Sequence, residues 1–188
     1  DQIQTLGDHP VLNWLNTVTL VDGRLVDSLK NGSDVLEWLD RAGWPLTKGS
    51  TPSLPPRLLK TARALREEIR SLVEKRKAGK RVNLETLNAF LANSESYLQL
   101  EPGSDRILTV TRNWKEHTAE QVLGPLTEAS AELLAEGDFS LIRRCENRKC
   151  SLWFYDRTRG HRRRWCSMAT CGNRSKVKAF RGRQWHKS

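Results

Sequence analysis

Cys145-Glu146-Asn147-Arg148-Lys149-Cys150 and Cys166-Ser167-Met168-Ala169-Thr170-Cys171-Gly172-Asn173-Arg174 hold all four cysteines of the 188-residue chain. The pattern is two Cys-x4-Cys pairs joined by a fifteen-residue connector. Tetrahedral zinc asks for this arrangement, since each pair offers two ligands from one turn and the connector brings the turns together. Four thiolates fill the shell and leave no position for water. Cys145, Cys150, Cys166 and Cys171 therefore read as ligands of one structural Zn²⁺ rather than a catalytic one. Iron accepts the same four sulfurs, and His161 or His186 are alternative ligands that break the pairing. A disulfide framework fits poorly, because a secreted domain spreads its cysteines through its core.

The same segment carries the charge. The chain has 32 Lys+Arg against 22 Asp+Glu, a formal net charge of +10. Residues 143–188 contain fifteen of those basic residues and two acids, Glu146 and Asp156, for a local charge of +13. The other 142 residues sum to −3. A near-neutral body with a strongly basic end predicts a polyanionic partner, nucleic acid before anionic lipid. Arginine supplies eleven of the fifteen, and its planar fork suits phosphate and guanine edges better than lysine does.

Within the connector, Leu152-Trp153-Phe154-Tyr155 is β-prone, Asp156 to Gly160 reads as a turn, and Arg162-Arg163-Arg164-Trp165 returns to Cys166. This predicts a metal-stapled hairpin, too small to fold without its ion. Ser175 to Gln184 can form a helix, with Arg174, Lys178 and Arg181 on one stripe and Val177 and Phe180 as anchors to the hairpin. Arg162, Arg163, Arg164, Arg174, Lys178, Arg181 and Arg183 are the candidate nucleic-acid contacts. Trp153, Tyr155, Trp165 and Trp185 can either stack on unpaired bases or form the core of the zinc module.

Upstream, the body reads as helical. Leu58, Leu59, Ala62, Leu65, Ile69, Leu72 and Val73 recur at spacings of three and four, one face of a long helix. Ser50 to Pro56 is a turn-rich entry to it. Further helices are predicted near Val11–Val18, after an Asp34 cap, from about Asn83, and over 118–136, where Gly124-Pro125 must kink or split the run. Tyr97–Leu100 and Ile107–Thr111 flank a turn that includes Ser104-Asp105 and can pair as a hairpin. The expected fold is mainly α (α+β). It comprises a multihelical domain with a short hairpin over residues 1–140, and a treble-clef-like or ribbon-like zinc finger over 141–188.

At Arg144-Cys145, Trp153-Phe154-Tyr155-Asp156, Arg163-Arg164-Trp165-Cys166-Ser167-Met168 and Cys171-Gly172-Asn173-Arg174 the chain resembles the bacterial CGNR zinc-finger family. Val11–Thr17, Trp38–Gly43, Leu65–Ile69 and Ala129–Leu134 resemble its companion, a stress-induced transcription regulator domain. The resemblance implies a zinc finger with the four cysteines as ligands and a role in DNA binding and transcription. The family's early motif has Asp where this chain has Asn13.

The leading expectation is thus a zinc-dependent DNA-binding regulator, with an RNA-binding or ribosome-associated zinc protein as the alternative. No carboxylate cluster, nucleophile elbow or glycine-rich phosphate loop points to an enzyme. Asn13, Asn16 and Thr17 lie on an otherwise apolar helix and must find partners if buried. They can hydrogen-bond a small-molecule effector or satisfy the core. Mean hydropathy is −0.63 and no apolar run is long enough to span a bilayer, so no membrane role and a cytoplasmic site are expected. Homodimerisation is left open.

Overall fold

The structure is a computed structural model. It describes residues 6–21, 23–46, 54–103 and 107–185, without the side chains of 179 and 181–185. The expected turns at 50–53 and 104–105 and the residue His186 lie outside these. Backbone contacts divide the chain into two compact units, one of Asp1–Ser28 with Asp138–Ser188, the other of Leu29–Gly137. This division differs from the 1–140/141–188 split read from composition, because the first 28 residues group with the cysteine segment.

The Leu29–Gly137 unit is helical. Asn31 caps α2 (Gly32–Arg41) in a capping box with Asp34: its side chain accepts from the Asp34 N–H at 3.0 Å, and Asp34 Oδ2 accepts from the Asn31 N–H at 3.1 Å. The helix therefore starts one turn before the expected Asp34 cap. Asp34 is the N3 residue rather than the cap itself. In α3 (Leu58–Lys77) the expected stripe is buried, with Leu58, Ala62, Leu65, Ile69, Leu72 and Val73 all inside. Helices α4 (Glu85–Asn93), α5 (Ala119–Val122) and α6 (Gly124–Glu136) pack around it. The 118–136 run is split at Gly124-Pro125, as proline chemistry requires.

Strands β3 (Ser96–Pro102) and β4 (Leu108–Trp114) form an antiparallel ribbon. Its base seats on α6, and a Cβ on Gly124 would fall 2.5 Å from the Trp114 ring. Glycine is the residue that permits this approach.

The other unit opens with α1 (Pro10–Leu15). Pro10 sits at the first helical turn, and His9 Nδ1 accepts from the Val11 N–H at 3.2 Å. Val11, Leu12, Trp14 and Leu15 are all buried. An unexpected hairpin follows, β1 (Val18–Val21) with β2 (Arg24–Asp27). The cysteine segment adds β5 (Ile142–Arg144), β6 (Trp153–Tyr155), a π-helical turn at Met168–Gly172, and α7 (Asn173–Trp185). The fold class is mixed α+β, as expected.

One local reading is corrected. β6 pairs with β5 and not with the Arg162–Trp165 segment. The Cys145–Cys150 turn closes this hairpin, whereas 162–165 returns as irregular chain.

Candidate metal centre and basic surface

The hairpin β5–β6 presents the first cysteine pair. Cys145 follows β5 directly, and its N–H donates to Leu152 O at 2.9 Å. The turn between is tightened by Asn147, whose carbonyl accepts from the Cys150 N–H at 2.8 Å and whose side-chain oxygen accepts from Lys149 N–H at 3.0 Å. In the second pair Cys166 precedes the π-helical turn and Cys171 lies within it. Ser167 is its N-cap, and the Gly172 N–H returns to Ser167 O at 2.9 Å. A Cβ on Gly172 would meet Met168 Sδ at 2.8 Å. The glycine of the Cys-Gly-Asn-Arg motif thus lets the Met168 side chain lie close behind Cys171.

All four sulfurs lie within 4.8 Å of one another. Cys150 and Cys166 are 3.8 Å apart, and Cys166 and Cys171 3.6 Å. Zinc–sulfur bonds of about 2.3 Å at tetrahedral angles set a sulfur–sulfur edge near 3.8 Å, so the donor set fits this ion. These separations are far beyond the ~2.05 Å of a disulfide. Leu152 and Phe154 complete the buried cluster with Cys145, Cys166 and Cys171, while Leu6, Cys150 and Trp165 pack at its border.

The electrostatics of Cys145, Cys150 and Cys166 call for a cation. Hydrogen bonds from Cys150 and Cys166 hold the Cys145 thiolate far below the usual thiol range, near 2. Cys150 is pushed up to about 12 because its proton is engaged by Cys145 and a second negative charge would stand beside the first. Cys166 is pushed upward for the same reasons. Without a metal only part of the cluster can ionise. A divalent ion removes the conflict, since thiolate is the ligand form. His161 is not one of the ligands, its Nδ1 lying 3.2 Å from Asp156 O.

The arginines divide into two groups. Arg163, one of the expected contacts, has its guanidinium bonded internally. It donates to Trp165 O at 3.0 Å, to Leu6 O at 3.2 Å and to Cys166 O, pairs with Asp8, and lies 4.4 Å over the Phe154 ring. Arg143 likewise bonds His161 O at 2.7 Å and faces Asp156 at 3.8 Å. Arg144 lies over Trp153, and Arg157 over Tyr155. Arg164 is exposed, pairs with Glu146 at 2.6 Å and stacks on Trp165. Arg162, Arg174 and Lys178 are exposed. The side chains of Arg181, Arg183 and Trp185 lie outside the described residues.

Two shallow grooves run beside these cations. One, of about 570 Å³, is lined by Ala169, Thr170, Asn173, Arg174, Val177 and Lys178. The other, of about 420 Å³, lies among Thr158, Arg162, Arg163, Arg164, Trp165 and Met168. Val177 and Phe180 are exposed rather than anchoring α7. The helix is instead held through the π-helical turn that carries Cys171. Among the aromatics, Trp153 and Phe154 are core residues and Trp165 is half-buried.

Asp156 was legible only as a turn residue, yet it organises the returning segment. Fully buried, it accepts from the Thr158 N–H at 3.1 Å, the Thr158 hydroxyl at 2.6 Å and the Arg163 N–H at 2.9 Å. Burial alone would raise its pKa, but these bonds and the Arg143 charge outweigh it and hold the carboxyl below its ordinary value. Being one of two acids, with Glu146, among fifteen basic residues was the available signal.

Asn13, Asn16 and Thr17, the residues expected either to meet an effector or to satisfy the core, each make hydrogen bonds within the fold. Asn13 Oδ1 accepts from the Gly7 N–H at 2.8 Å, and Thr17 Oγ1 donates to Trp14 O at 2.7 Å. Asn16 is buried and bonds the Trp153 backbone in both directions. The polar groups found partners within their own unit.

A family model described as "Putative stress-induced transcription regulator" matches residues 8–137, and the CGNR zinc finger matches residues 142–184. A comparison with curated proteins finds no match. No helix among the described residues is long and apolar enough to cross a membrane.

Proposed function

We propose, for a chain that belongs to the ABATE family of transcription regulators and carries a CGNR zinc finger, that it is a zinc-dependent DNA-binding regulator. Four cysteines hold one structural zinc, and the ion fixes the segment that bears the exposed cations. The observation that carries the reading is the set Arg162, Arg174 and Lys178, exposed on a segment of local charge +13. Arg164 joins them by exchanging Glu146 for a phosphate. Each phosphate neutralised releases counterions, so binding of this kind is steeply salt-dependent.

The activity is binding, not catalysis. Four protein ligands around zinc leave no open position at which water or substrate could react. The site of action is the cytoplasm, with DNA as the partner.

RNA is the second reading, favoured by the Arg164–Trp165 stack beside a groove, where an unpaired base can lie. Competition between labelled duplex DNA and single-stranded RNA for the zinc-loaded chain separates the two. The duplex is expected to compete better across the salt range. Preference for single-stranded RNA at every salt concentration would replace the first reading with the second.

A further inference from the structure

Helix α7 carries two kinds of exposed residue, and they are sorted around its axis. At 3.6 residues per turn each residue advances by about 100°. Taking Val177 as the reference, Asn173 and Phe180 lie about 40° and 60° to one side, with Lys176 beyond them at about 100°. Arg174 and Lys178 lie about 60° and 100° to the other side. All six are exposed, whereas Ser175, on the far side of the axis, is half-buried. Over the described side chains the outward strip is thus uncharged, and cations flank it on both sides.

The metal centre sets which side of the helix faces out. The helix continues from the turn that carries Cys171 and Gly172, both buried, so a ligand bond at Cys171 anchors the inner side.

Phosphate binding leaves the strip unexplained, because cations perform it without help. Val177 is 49% and Phe180 56% exposed, apolar surface at the middle of a cationic face. Asn173 is specific in what it offers. Its Nδ2 donates to Ala169 O at 3.2 Å, which uses one amide hydrogen and leaves one donor together with the Oδ1 acceptor. An adenine edge in the major groove presents the complement, the acceptor N7 and the donor N6, and thymine adds a methyl group.

We propose that α7 lies in the major groove of duplex DNA and reads sequence there. Asn173 pairs with adenine and Val177 packs on the methyl of a nearby thymine, while Arg174 and Lys178 hold one phosphate backbone and Lys176 the other. The inference rests on the DNA-binding reading above and adds base recognition to it. The dimensions agree, since a helix with its side chains is about 10–12 Å across and the groove about 12 Å wide. The order across the groove, phosphate rim, base edges, phosphate rim, is the order across α7 of cation, uncharged strip, cation. Asn173 and Val177 are about 6 Å apart along the axis, so their contacts fall within about two base pairs of each other at roughly 3.4 Å per step. The recognised element is accordingly short and contains A·T pairs, and the flanking cations add affinity for any sequence.

Selection by the full zinc-loaded chain from a randomised duplex pool tests this, followed by two atomic changes in the selected duplex. Replacing adenine by its 7-deaza analogue removes the N7 acceptor, and replacing thymine by uracil removes the methyl. Wild type is expected to enrich an A·T-containing element and to lose about threefold to fivefold in affinity with each change. Asn173→Ala should ignore the 7-deaza change and still sense uracil, and Val177→Ser should do the reverse. Lys178→Ala should weaken binding to every duplex alike. Circular dichroism and zinc content establish that each variant is folded, and the modified duplexes test the wild type without any variant. Absence of duplex binding overturns the DNA reading and this assignment together. Duplex binding with no enriched element overturns the assignment alone. So does an enriched element whose modifications leave wild-type affinity unchanged, or losses that persist undiminished in both folded variants.

Discussion

Asn16 and Trp153 exchange two hydrogen bonds of 2.8 Å each: Asn16 Nδ2 donates to Trp153 O, and the Trp153 N–H donates to Asn16 Oδ1. The carboxamide behaves as one residue of a neighbouring strand, satisfying both backbone groups of β6 at the point where it leaves the zinc turn. The two residues are 137 positions apart in sequence. With the Tyr155 N–H donating to Gly7 O at 2.8 Å, this gives β6 partners on the side away from β5.

Replacing Asn16 by Ala leaves a buried N–H and a buried carbonyl without partners. Each such group costs about 1–3 kcal/mol, so Asn16→Ala should destabilise the chain by about 2–4 kcal/mol. Chemical denaturation read by tryptophan fluorescence measures it. Stability within about 0.5 kcal/mol of wild type would remove the carboxamide from the fold's essential bonds.

Arg163 and Arg174 should behave oppositely. Arg163 has its fork spent on the backbone and on Phe154. Its replacement by Ala is expected to lower thermal stability and zinc retention. Arg174 is exposed, so Arg174→Ala should leave stability nearly unchanged. It should reduce the magnitude of the log–log salt slope of duplex binding by about one. Equal effects of the two changes on stability would contradict the division of the arginines.

His9 makes the cap of α1 sensitive to pH. Burial first, and then the Arg157 charge, hold its pKa below the ordinary value of 6.5. The unfolded chain therefore takes up the proton first. The stabilisation is complete above pH 6.5 and is lost as pH falls from there toward the folded-state value. The ring nitrogen that accepts from Val11 N–H cannot do so once protonated. His9→Asn keeps a good cap and should flatten stability against pH just below 6.5. Asp156, also depressed, loses its contribution only in more acid solution. Denaturation midpoints at half-unit pH steps distinguish the two windows.

The contrast between what was legible and what was not follows from range. The α3 stripe and the two cysteine pairs were readable because helix period and ligand spacing are written in local sequence. Gly124-Pro125 was readable for the same reason. The pairing of β6 with β5 was not, because Leu152–Tyr155 has two β-compatible neighbours and only the Cys145–Cys150 turn decides between them. Nor was the fate of Arg163, since composition counts charges without their directions. Its inward turn depends on Phe154, Leu6 and Cys166 arriving together. Asn16 was recognised as needing a partner, but a backbone 137 residues away leaves no mark beside it in the chain.

In the proposed function, zinc shapes a cationic surface for duplex DNA. Duplex affinity against salt, for the zinc-loaded and the zinc-stripped chain, is the decisive measurement. Contacts from four of the exposed cations, Arg162, Arg164, Arg174 and Lys178, give a slope of about −3 to −4 for the loaded chain, with that binding lost when zinc is removed. Affinity unchanged by stripping the metal, or a loaded chain whose duplex binding ignores salt, would contradict the account.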